Sequence, residues 1–367
     1  MHLPVVNLKP VIEATRPAWQ AQLDAMFTRG QFILGAGLAA FEQEYAASLE
    51  AKFAVGVANG TDAISLCLRA ARVTGETLTT ALSAPFTGIA ITSAGAKIKF
   101  ADVDPETLLV DADDLGNRIT KRTAALVPVH LYGQPCRIDR ISKLGPVVIQ
   151  DACQAHGARF DGRPLTAFSD YVAYSFYPTK NLGALGDGGA IVTNRAAVSQ
   201  RLRLLRDGGR KGGRKGGQVS YEAGINSRLD EMQCCYLRAF LPHLVEWNLH
   251  RRKIAALYDE ALAGCPGVRL LKRHACSVNH LYVIRAKKRD KLREYLGKHG
   301  IGTGVHYPVP LHLHPAFASA GQKRGTLPHA EKACKEIVSL PVWPYMPASG
   351  VIDVAERIRQ FYSNGGA

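Results

Sequence analysis

The chain has 367 residues, a length that suits two domains, and its 46 Lys and Arg against 31 Asp and Glu give a formal charge of +15. With 47% hydrophobic and 21% charged residues it can bury a substantial core, which excludes disordered, collagen and coiled-coil classes. The positive charge favours anionic partners: nucleic acid, a membrane surface or a phosphorylated small molecule. Part of this charge lies in segment 201–214, for which a solvated basic loop is the simplest interpretation.

The cysteines and the uncharged segments indicate the cellular setting. The chain has 8 cysteines with no C-x-x-C pair and no Cys/His ligand spacing, which predicts reduced thiols, no metal site and a cytoplasmic location. Residues 1–4 lack the charged start and apolar run of a signal peptide. The longest uncharged window, 77–96, is too rich in Thr, Ser and Gly for a membrane span.

Short apolar runs alternate with helical stretches between residues 50 and 195. Several of these runs are continuously apolar, as expected of strands buried on both faces. The pattern predicts an α/β fold with a mostly parallel sheet of about seven strands. The predicted strands are 53–58, 78–83, 97–101, 124–130, 146–150, 171–176 and 190–193, and predicted helices include 61–72 and the stretch around 113–119.

The second half of the chain predicts a connecting helix and a smaller domain. Residues 207–217 read DGGRKGGRKGG, a flexible basic loop, and a long helical pattern over 230–263 is broken at Pro242. The turn at 264–267 marks a domain edge, so we predict a large domain, 1–263, and a small C-terminal α/β domain, 264–367. The small domain is predicted to hold a strand at 279–285, helices at 290–299 and 351–362, and a Pro/His-rich loop at 306–315.

Three polar motifs follow predicted strands, where open α/β sheets bind ligands. Asp151 comes directly after strand 146–150, and a helix N-cap is its simplest alternative role. Lys180 lies in a glycine-bracketed loop after strand 171–176, where a surface lysine is the common case. Gly60 and Thr61 open a helix whose free N–H groups, with that of Asp62, suit a phosphate, although Thr61 also suits an ordinary N-cap.

Together the three motifs match the needs of one cofactor, pyridoxal 5′-phosphate. A lysine bonds to its aldehyde, a carboxylate keeps its pyridine nitrogen protonated, and N–H and hydroxyl donors hold its phosphate. The sequence therefore predicts a site for this cofactor at the carboxyl edge of the sheet.

The chain resembles the DegT/StrS family of sugar aminotransferases over residues 5–345. The motifs that carry the resemblance are GQFILGAGLAAFEQE (30–44), NGTDA (59–63), DACQAHGA (151–158), SFYPTKNLGALGDGGA (175–190) and GINSRLDE (224–231). The resemblance implies the type I aminotransferase fold, with a seven-stranded large domain, a small C-terminal domain and a homodimer whose active sites lie at the interface.

The resemblance also assigns roles around the cofactor. Lys180 would bond to pyridoxal 5′-phosphate and move the proton, Asp151 would pair with the pyridinium nitrogen, and Gln154 would contact the phenolic oxygen. The residues assigned to the phosphate are Gly60, Thr61, Ser175 and, from the other subunit, Asn226.

The sequence departs from the family pattern at two positions. Many members place an aromatic residue where this chain has Gly88, so we expect Phe86 to stack on the cofactor ring instead. A histidine common before the NSR motif is Tyr221 here, which changes a substrate contact.

Other expected substrate contacts leave alternatives open. His306 and Tyr307 belong to a loop that resembles the family's substrate loop, although a Pro-rich surface loop is the alternative. Arg228 suits either an anion clamp or an interface salt bridge, and the basic residues of 210–215 suit the diphosphate of a nucleotide sugar.

The function implied is transfer of an amino group from L-glutamate to a nucleotide-linked keto-sugar, with pyridoxamine 5′-phosphate as the intermediate form of the cofactor. Carbon C-3 of a 3-keto-6-deoxyhexose is the expected acceptor and C-4 the alternative, in deoxysugar and amino-sugar biosynthesis. Lys180, where relatives that dehydrate sugars carry histidine, favours amino transfer. A nucleic-acid-binding protein and a non-catalytic relic of the fold are the rival classes, and an intact Lys180, Asp151 and Ser175 count against the relic.

Overall fold

The computed structural model describes residues 2–211 and 219–365. The strands are β1 (Phe53–Val57), β2 (Glu76–Thr80), β3 (Lys97–Ala101), β4 (Thr123–Val127), β5 (Val147–Asp151), β6 (Arg159–Phe160), β7 (Arg163–Pro164), β8 (Tyr171–Ser175), β9 (Gly189–Thr193), β10 (Val268–Leu270), β11 (Tyr282–Ala286) and β12 (Ile337–Leu340). The helices are α1 (Lys9–Arg29), α2 (Ala36–Ser48), α3 (Gly60–Ala70), α4 (Pro85–Ser93), α5 (Ala112–Asn117), α6 (Ile138–Ile141), α7 (Ala196–Arg206), α8 (Glu231–Phe240), α9 (Leu244–Leu262), α10 (Arg289–Lys298), α11 (Pro328–Glu336) and α12 (Ala348–Ser363).

The main sheet has seven strands in the order β1-β9-β8-β5-β4-β2-β3. Strand β9 runs antiparallel to β1 and β8, and the remaining neighbours are parallel. The predicted α/β class and mostly parallel sheet are therefore confirmed, and each of the seven predicted runs overlaps a strand of this sheet.

The boundaries of β2 differ from the prediction of 78–83. The strand starts earlier, at Glu76, and stops at Thr80, because Ala81 and Leu82 already belong to the loop towards α4. Both residues are fully buried in that loop, so burial explains why they are apolar although they lie outside the strand.

The sheet order brings the polar motifs to one edge. Strands β5 and β8 are parallel neighbours in which Asp151 lies opposite Ala173, two residues before Ser175. Strand β1 runs parallel to β8 across β9, so the turn at Asn59 and Gly60 lies at the same edge. The carboxyl ends of these strands form the edge where α/β sheets bind ligands.

Helices α8 and α9 follow the main sheet and are separated by a short 3₁₀ turn, 241–243, that contains Pro242. The predicted break at Pro242 is confirmed, because proline has no N–H to continue the α-helical ladder. Beyond α9, strands β10, β11 and β12 form an antiparallel sheet. Its apolar core includes Ile254 and Tyr258 of α9 and also Leu3, so the division between 263 and 264 stays a prediction.

Glu231, the first residue of α8, holds the start of α2. Its buried carboxylate accepts hydrogen bonds from the N–H groups of Gly35 (2.8 Å), Gly37 (2.8 Å) and Leu38 (2.9 Å). A helix N-terminus favours a negative charge, and Gly35, the N-cap residue, offers no side chain of its own. One carboxylate therefore joins two segments that are 193 to 196 residues apart.

The loop before α11 covers the outer strand β3. The Gln322 side chain accepts from Phe100 N–H and donates to Phe100 O, both at 2.8 Å, and Lys99 Nζ donates to Ala320 O. These bonds cover part of the exposed edge of β3, which would otherwise offer free backbone groups to other chains.

Two absences hold for residues 2–211 and 219–365. No helix there is both long enough and apolar enough to cross a lipid bilayer. The same ranges contain no group of three His, Cys, Asp or Glu side chains arranged to bind a metal ion.

Replacing Gly37 should destabilise the protein. A Cβ at Gly37 would lie 2.6 Å from Glu231 Oε2, so Gly37→Ala should cost about 1–3 kcal/mol through overpacking. The exposed helical Gly297, whose Cβ would meet nothing within 4 Å, is the matched control, and Gly297→Ala should hold or raise stability. Thermal melting of both variants checks this, and equal melting temperatures would contradict the steric argument.

Candidate functional site

Asp151 is the last residue of β5, with 4% of its surface exposed. Its Oδ2 accepts from Thr87 Oγ1 (2.8 Å) and its Oδ1 from Cys153 N–H (3.1 Å). The residues after Asp151 form a turn and not a helix, so the N-cap alternative is wrong. A carboxylate held by a hydroxyl and an amide, without an ion pair among the described residues, keeps the capacity to bind a cation.

Lys180 follows β8 in a tight turn. Its N–H donates to Tyr177 O (2.9 Å), and Gly183 is required because a Cβ there would collide with the carbonyl oxygen of Pro178. Part of the lysine side chain is open, but loss of hydration lowers the pKa of its ammonium group, while nearby Cys153 and Asp151 raise it. Lys180 thus lies in a largely dehydrated setting and is not a solvated surface lysine.

The N-terminus of α3 faces Ser175. Asn59 is the N-cap residue and its Oδ1 accepts from Asp62 N–H (2.8 Å), so Thr61 is not the cap and the Asp62 N–H is already used. A Cβ on Gly60 would lie 2.6 Å from Ser175 Cβ and 2.8 Å from Cys153 Sγ. The first helical turn therefore offers backbone N–H groups beside a hydroxyl, in a space that only glycine leaves open.

Gln154 connects the sheet edge to the loop at residues 306–307. Its Oε1 accepts from Tyr132 N–H (2.6 Å), and its Nε2 donates to Tyr307 Oη (3.1 Å). The Tyr132 hydroxyl donates to His306 O, and His306 Nδ1 lies 2.7 Å from Ser339 Oγ. The loop is therefore held against the site, unlike a free surface loop.

Burial keeps both residues of this loop uncharged. It raises the pKa of Tyr307 above its usual range and lowers the pKa of His306 to about 4. At neutral pH the two side chains present hydroxyl and imidazole hydrogen-bonding groups without net charge.

Phe86 lies in the first turn of α4 and is 60% exposed. Gly88, where an aromatic residue is common in the family, packs against the Phe317 ring, and a Cβ on Gly88 would collide with that ring. The Phe317 side chain therefore explains why glycine stands at position 88. Stacking of Phe86 on a cofactor stays a prediction.

The remaining predicted residues form a separate group on segment 207–228. Arg228 Nη1 donates to Asp207 Oδ1 (2.7 Å), so within this chain it makes a salt bridge. Tyr221 is exposed beneath the Lys211 ammonium, 4.5 Å from the ring centroid, and Asn226 is exposed. Their contacts are with this segment and not with Lys180. Of the basic loop, Arg214 and Lys215 lie outside the described residues.

The sequence patterns do not indicate that Thr87 and Tyr132 belong to the site. Thr87 is 64 residues from Asp151 along the chain, and a threonine in an apolar segment shows no sign of such a partner. Tyr132 has a left-handed backbone, with φ of 62°, which turns its N–H towards Gln154 and its hydroxyl towards His306.

The donor set fits pyridoxal 5′-phosphate. Lys180 offers an amine of lowered pKa, Asp151 a buried carboxylate, and the first turn of α3 at Gly60 backbone N–H groups close to Ser175. These three chemical groups are distinct, and each matches one part of that cofactor.

The chain matches a known protein family over most of its length. Residues 14–359 match the DegT/DnrJ/EryC1/StrS aminotransferase family. The chain is 39% identical over 368 residues to dTDP-3-amino-3,4,6-trideoxy-alpha-D-glucose transaminase of Streptomyces venezuelae, covering 98% of this chain and 96% of that one. It is 41% identical over 372 residues to a pleiotropic regulatory protein of Geobacillus stearothermophilus, covering 99% of each.

The fold is similar to that of a solved structure. S. venezuelae DesV in complex with a ketimine intermediate superposes with a TM-score of 0.94 at 38% identity, covering 98% of both chains.

Replacing Gly60 should weaken cofactor binding, because the added Cβ must displace Ser175. The added methyl of Gly60→Ala would occupy the space beside Ser175, and we expect affinity for pyridoxal 5′-phosphate to fall at least about tenfold, or 1.4 kcal/mol. Gly116→Ala, whose Cβ would meet only Leu144 at 3.5 Å in α5, is the matched control. Titration by absorbance measures both, and unchanged affinity in Gly60→Ala would contradict phosphate binding at this turn.

Proposed function

This chain belongs to the DegT/DnrJ/EryC1/StrS aminotransferase family and is a pyridoxal-phosphate-dependent sugar aminotransferase, and we propose that it transfers the amino group of L-glutamate to C-3 of a nucleotide-linked 3-keto-6-deoxyhexose. The observation that carries the proposal is the meeting of Lys180, Asp151 and the α3 N-terminus at one sheet edge. Similarity to a transaminase that acts at C-3 supports the position of amination over C-4. A deoxysugar-biosynthesis role follows from that substrate class.

The chain's own residues would hold the cofactor as follows. The N–H groups of Gly60 and Thr61 and the Ser175 hydroxyl would bind its phosphate, and Gln154 would bind its phenolic oxygen. When bound, pyridoxal 5′-phosphate supplies an aldehyde carbon and a pyridinium ring that withdraws electrons from the substrate carbon.

Asp151 and Lys180 would act on two different protons, one on the pyridine nitrogen and one on the substrate carbon. The Asp151 charge, oriented by Thr87, would hold a proton on the pyridine nitrogen. Dehydration lowers the pKa of Lys180, so a larger fraction of its Nζ is neutral and able to accept a proton from the substrate carbon. Lys180 would then give that proton to C4′ of the cofactor within the same half-reaction, and would move a proton from C4′ to the sugar carbon in the second half-reaction.

The nucleotide sugar would bind through neutral groups and surface cations. His306 and Tyr307, uncharged at neutral pH, suit sugar hydroxyls. The formal charge of +15 would attract the diphosphate and accelerate its encounter with the protein. The rival nucleic-acid-binding and relic functions are not favoured.

A homodimer with shared sites is part of the proposal. Several large apolar side chains are exposed, an arrangement that suits burial against a second copy of the chain. They include Phe27, Phe32, Phe86, Tyr177, Tyr221 and Met232. Asn226 would then reach the phosphate of the other subunit, as the family resemblance implies.

A reducing, cytoplasmic location completes the proposal. All eight cysteines are free thiols in the structure, which suits a compartment that keeps thiols reduced.

An absorption experiment tests the function directly. Protein loaded with pyridoxal 5′-phosphate should show a visible band that L-glutamate bleaches and a 3-keto nucleotide sugar restores. Lys180→Ala should lose the native band, whereas Lys298→Ala, at an exposed position in α10, should keep it. A band that is indifferent to glutamate would overturn the proposal, and restoration by a 4-keto sugar alone would move amination to C-4.

Mixed dimers test whether the sites are shared. Lys180→Ala and Asn226→Ala subunits are each expected to be nearly inactive as homodimers. If Asn226 serves the other subunit, a mixed dimer has one intact site, so random mixing should restore about a quarter of wild-type activity. Activity of the mixture that stays at the level of the separate variants would show that Asn226 does not act across the interface.

A further inference from the structure

Asn181, the residue after Lys180, is buried and fully hydrogen-bonded. Its Nδ2 donates to Asn248 Oδ1 (2.7 Å) and to Val278 O (3.0 Å), and its Oδ1 lies 3.1 Å from His280 Nδ1. Asn248 belongs to α9, while Val278 and His280 precede β11. One side chain therefore ties the Lys180 turn to two other parts of the fold.

The direction of each hydrogen bond in this group is determined. His156 O can only accept, so Asn248 presents its Nδ2 there (2.9 Å) and its Oδ1 to Asn181. Asn181 must then donate through Nδ2, which leaves its Oδ1 to accept from His280. We call the resulting chain, from His280 Nδ1–H through Asn181 and Asn248 to His156 O, the amide relay.

The relay requires one form of His280. The ring must carry a proton on Nδ1, and the neutral tautomer protonated at Nδ1 does so. Burial lowers the pKa of His280 well below its usual value, with further lowering by the charges of Lys180 and Arg251, so the ring is neutral at physiological pH. Arg251 also donates to His280 O (3.1 Å), which fixes the backbone of that residue.

The relay lies between the two groups that the proposed chemistry needs. Its second member is Asn181, the residue next to Lys180, and its far end is His156 O, in the loop that follows Asp151 and contains Gln154. Every member is at least nine-tenths buried, so each unpaired group would cost free energy and the geometry is strongly specified.

We propose that Asn181 is a positioning residue for Lys180, and that His280 orients Asn181 by donating from Nδ1. This proposal rests on the proposed function, because it needs Lys180 to be the residue that bonds to the cofactor. The relay acts on the backbone next to Lys180, so its effect is on the placement of the Lys180 amine.

The test compares two replacements of His280. In His280→Asn an amide N–H can replace Nδ1–H, whereas His280→Leu removes the donor and retains an apolar side chain. The rate at which Lys180 of the cofactor-free protein captures pyridoxal 5′-phosphate is measured by absorbance, and borohydride reduction with peptide mass analysis confirms the lysine.

We expect His280→Asn to capture the cofactor nearly as fast as the wild type. His280→Leu and Asn181→Ala should be slower on the order of ten- to hundredfold, since small displacements of a reacting group have effects of this size. In the glutamate half-reaction the same two variants should lower the maximal rate more than they change the half-saturating glutamate concentration. If His280→Leu fails to fold, Asn181→Ala carries the comparison.

Two results would overturn the proposal. Wild-type rates in both His280→Leu and Asn181→Ala would make the relay purely structural, and equal defects in His280→Asn and His280→Leu would mean that His280 does not act through Nδ1. Failure of the wild type to capture cofactor at Lys180 would instead refute the proposed function, so the two failures are distinguishable.

Discussion

A buried carboxylate without an ion-pair partner in the described chain, Asp151, is the constraint around which the site is arranged. Removing a charge from water is costly unless hydrogen bonds or an opposite charge compensate. Thr87 and the Cys153 N–H supply two hydrogen bonds, and the nearby Lys180 ammonium supplies a positive charge. A cation within the site would compensate the Asp151 charge further, and the pyridinium ring of the proposed cofactor would supply one.

The fold supports this arrangement through connections between distant segments. Parallel pairing of β5 with β8 brings the Asp151 loop beside Ser175, and the amide relay ties the Lys180 turn to α9 and to the segment before β11. Gln154 and Tyr307 close the site from the other side. Helix α9 and the segment before β11 therefore both contribute to the position of one lysine, so movement of either relative to the Lys180 turn would disturb it.

Much of the architecture was predictable from local patterns. Seven short runs marked the seven strands to within a few residues, because several of these strands are buried on both faces and are largely apolar, although β2 reads ETLTT and buries threonines. Pro242 marked the break between α8 and α9, because the missing N–H has only local consequences. Asp151, Lys180 and Gly60 are predictable as candidates because each lies at the end of a strand or in the loop after it, where the chain emerges at the ligand-binding edge.

The sequence by itself determined the order of the strands along the chain and the chemical groups available at their ends. Only the tertiary structure decided which groups meet. Thr87 reaches Asp151, Glu231 caps α2 and His280 orients Asn181 across separations of 64 to 196 residues. Such pairings cannot be recognised from the local sequence. A hydrogen bond between distant residues depends on how helices and strands pack and not on the periodicity of either segment.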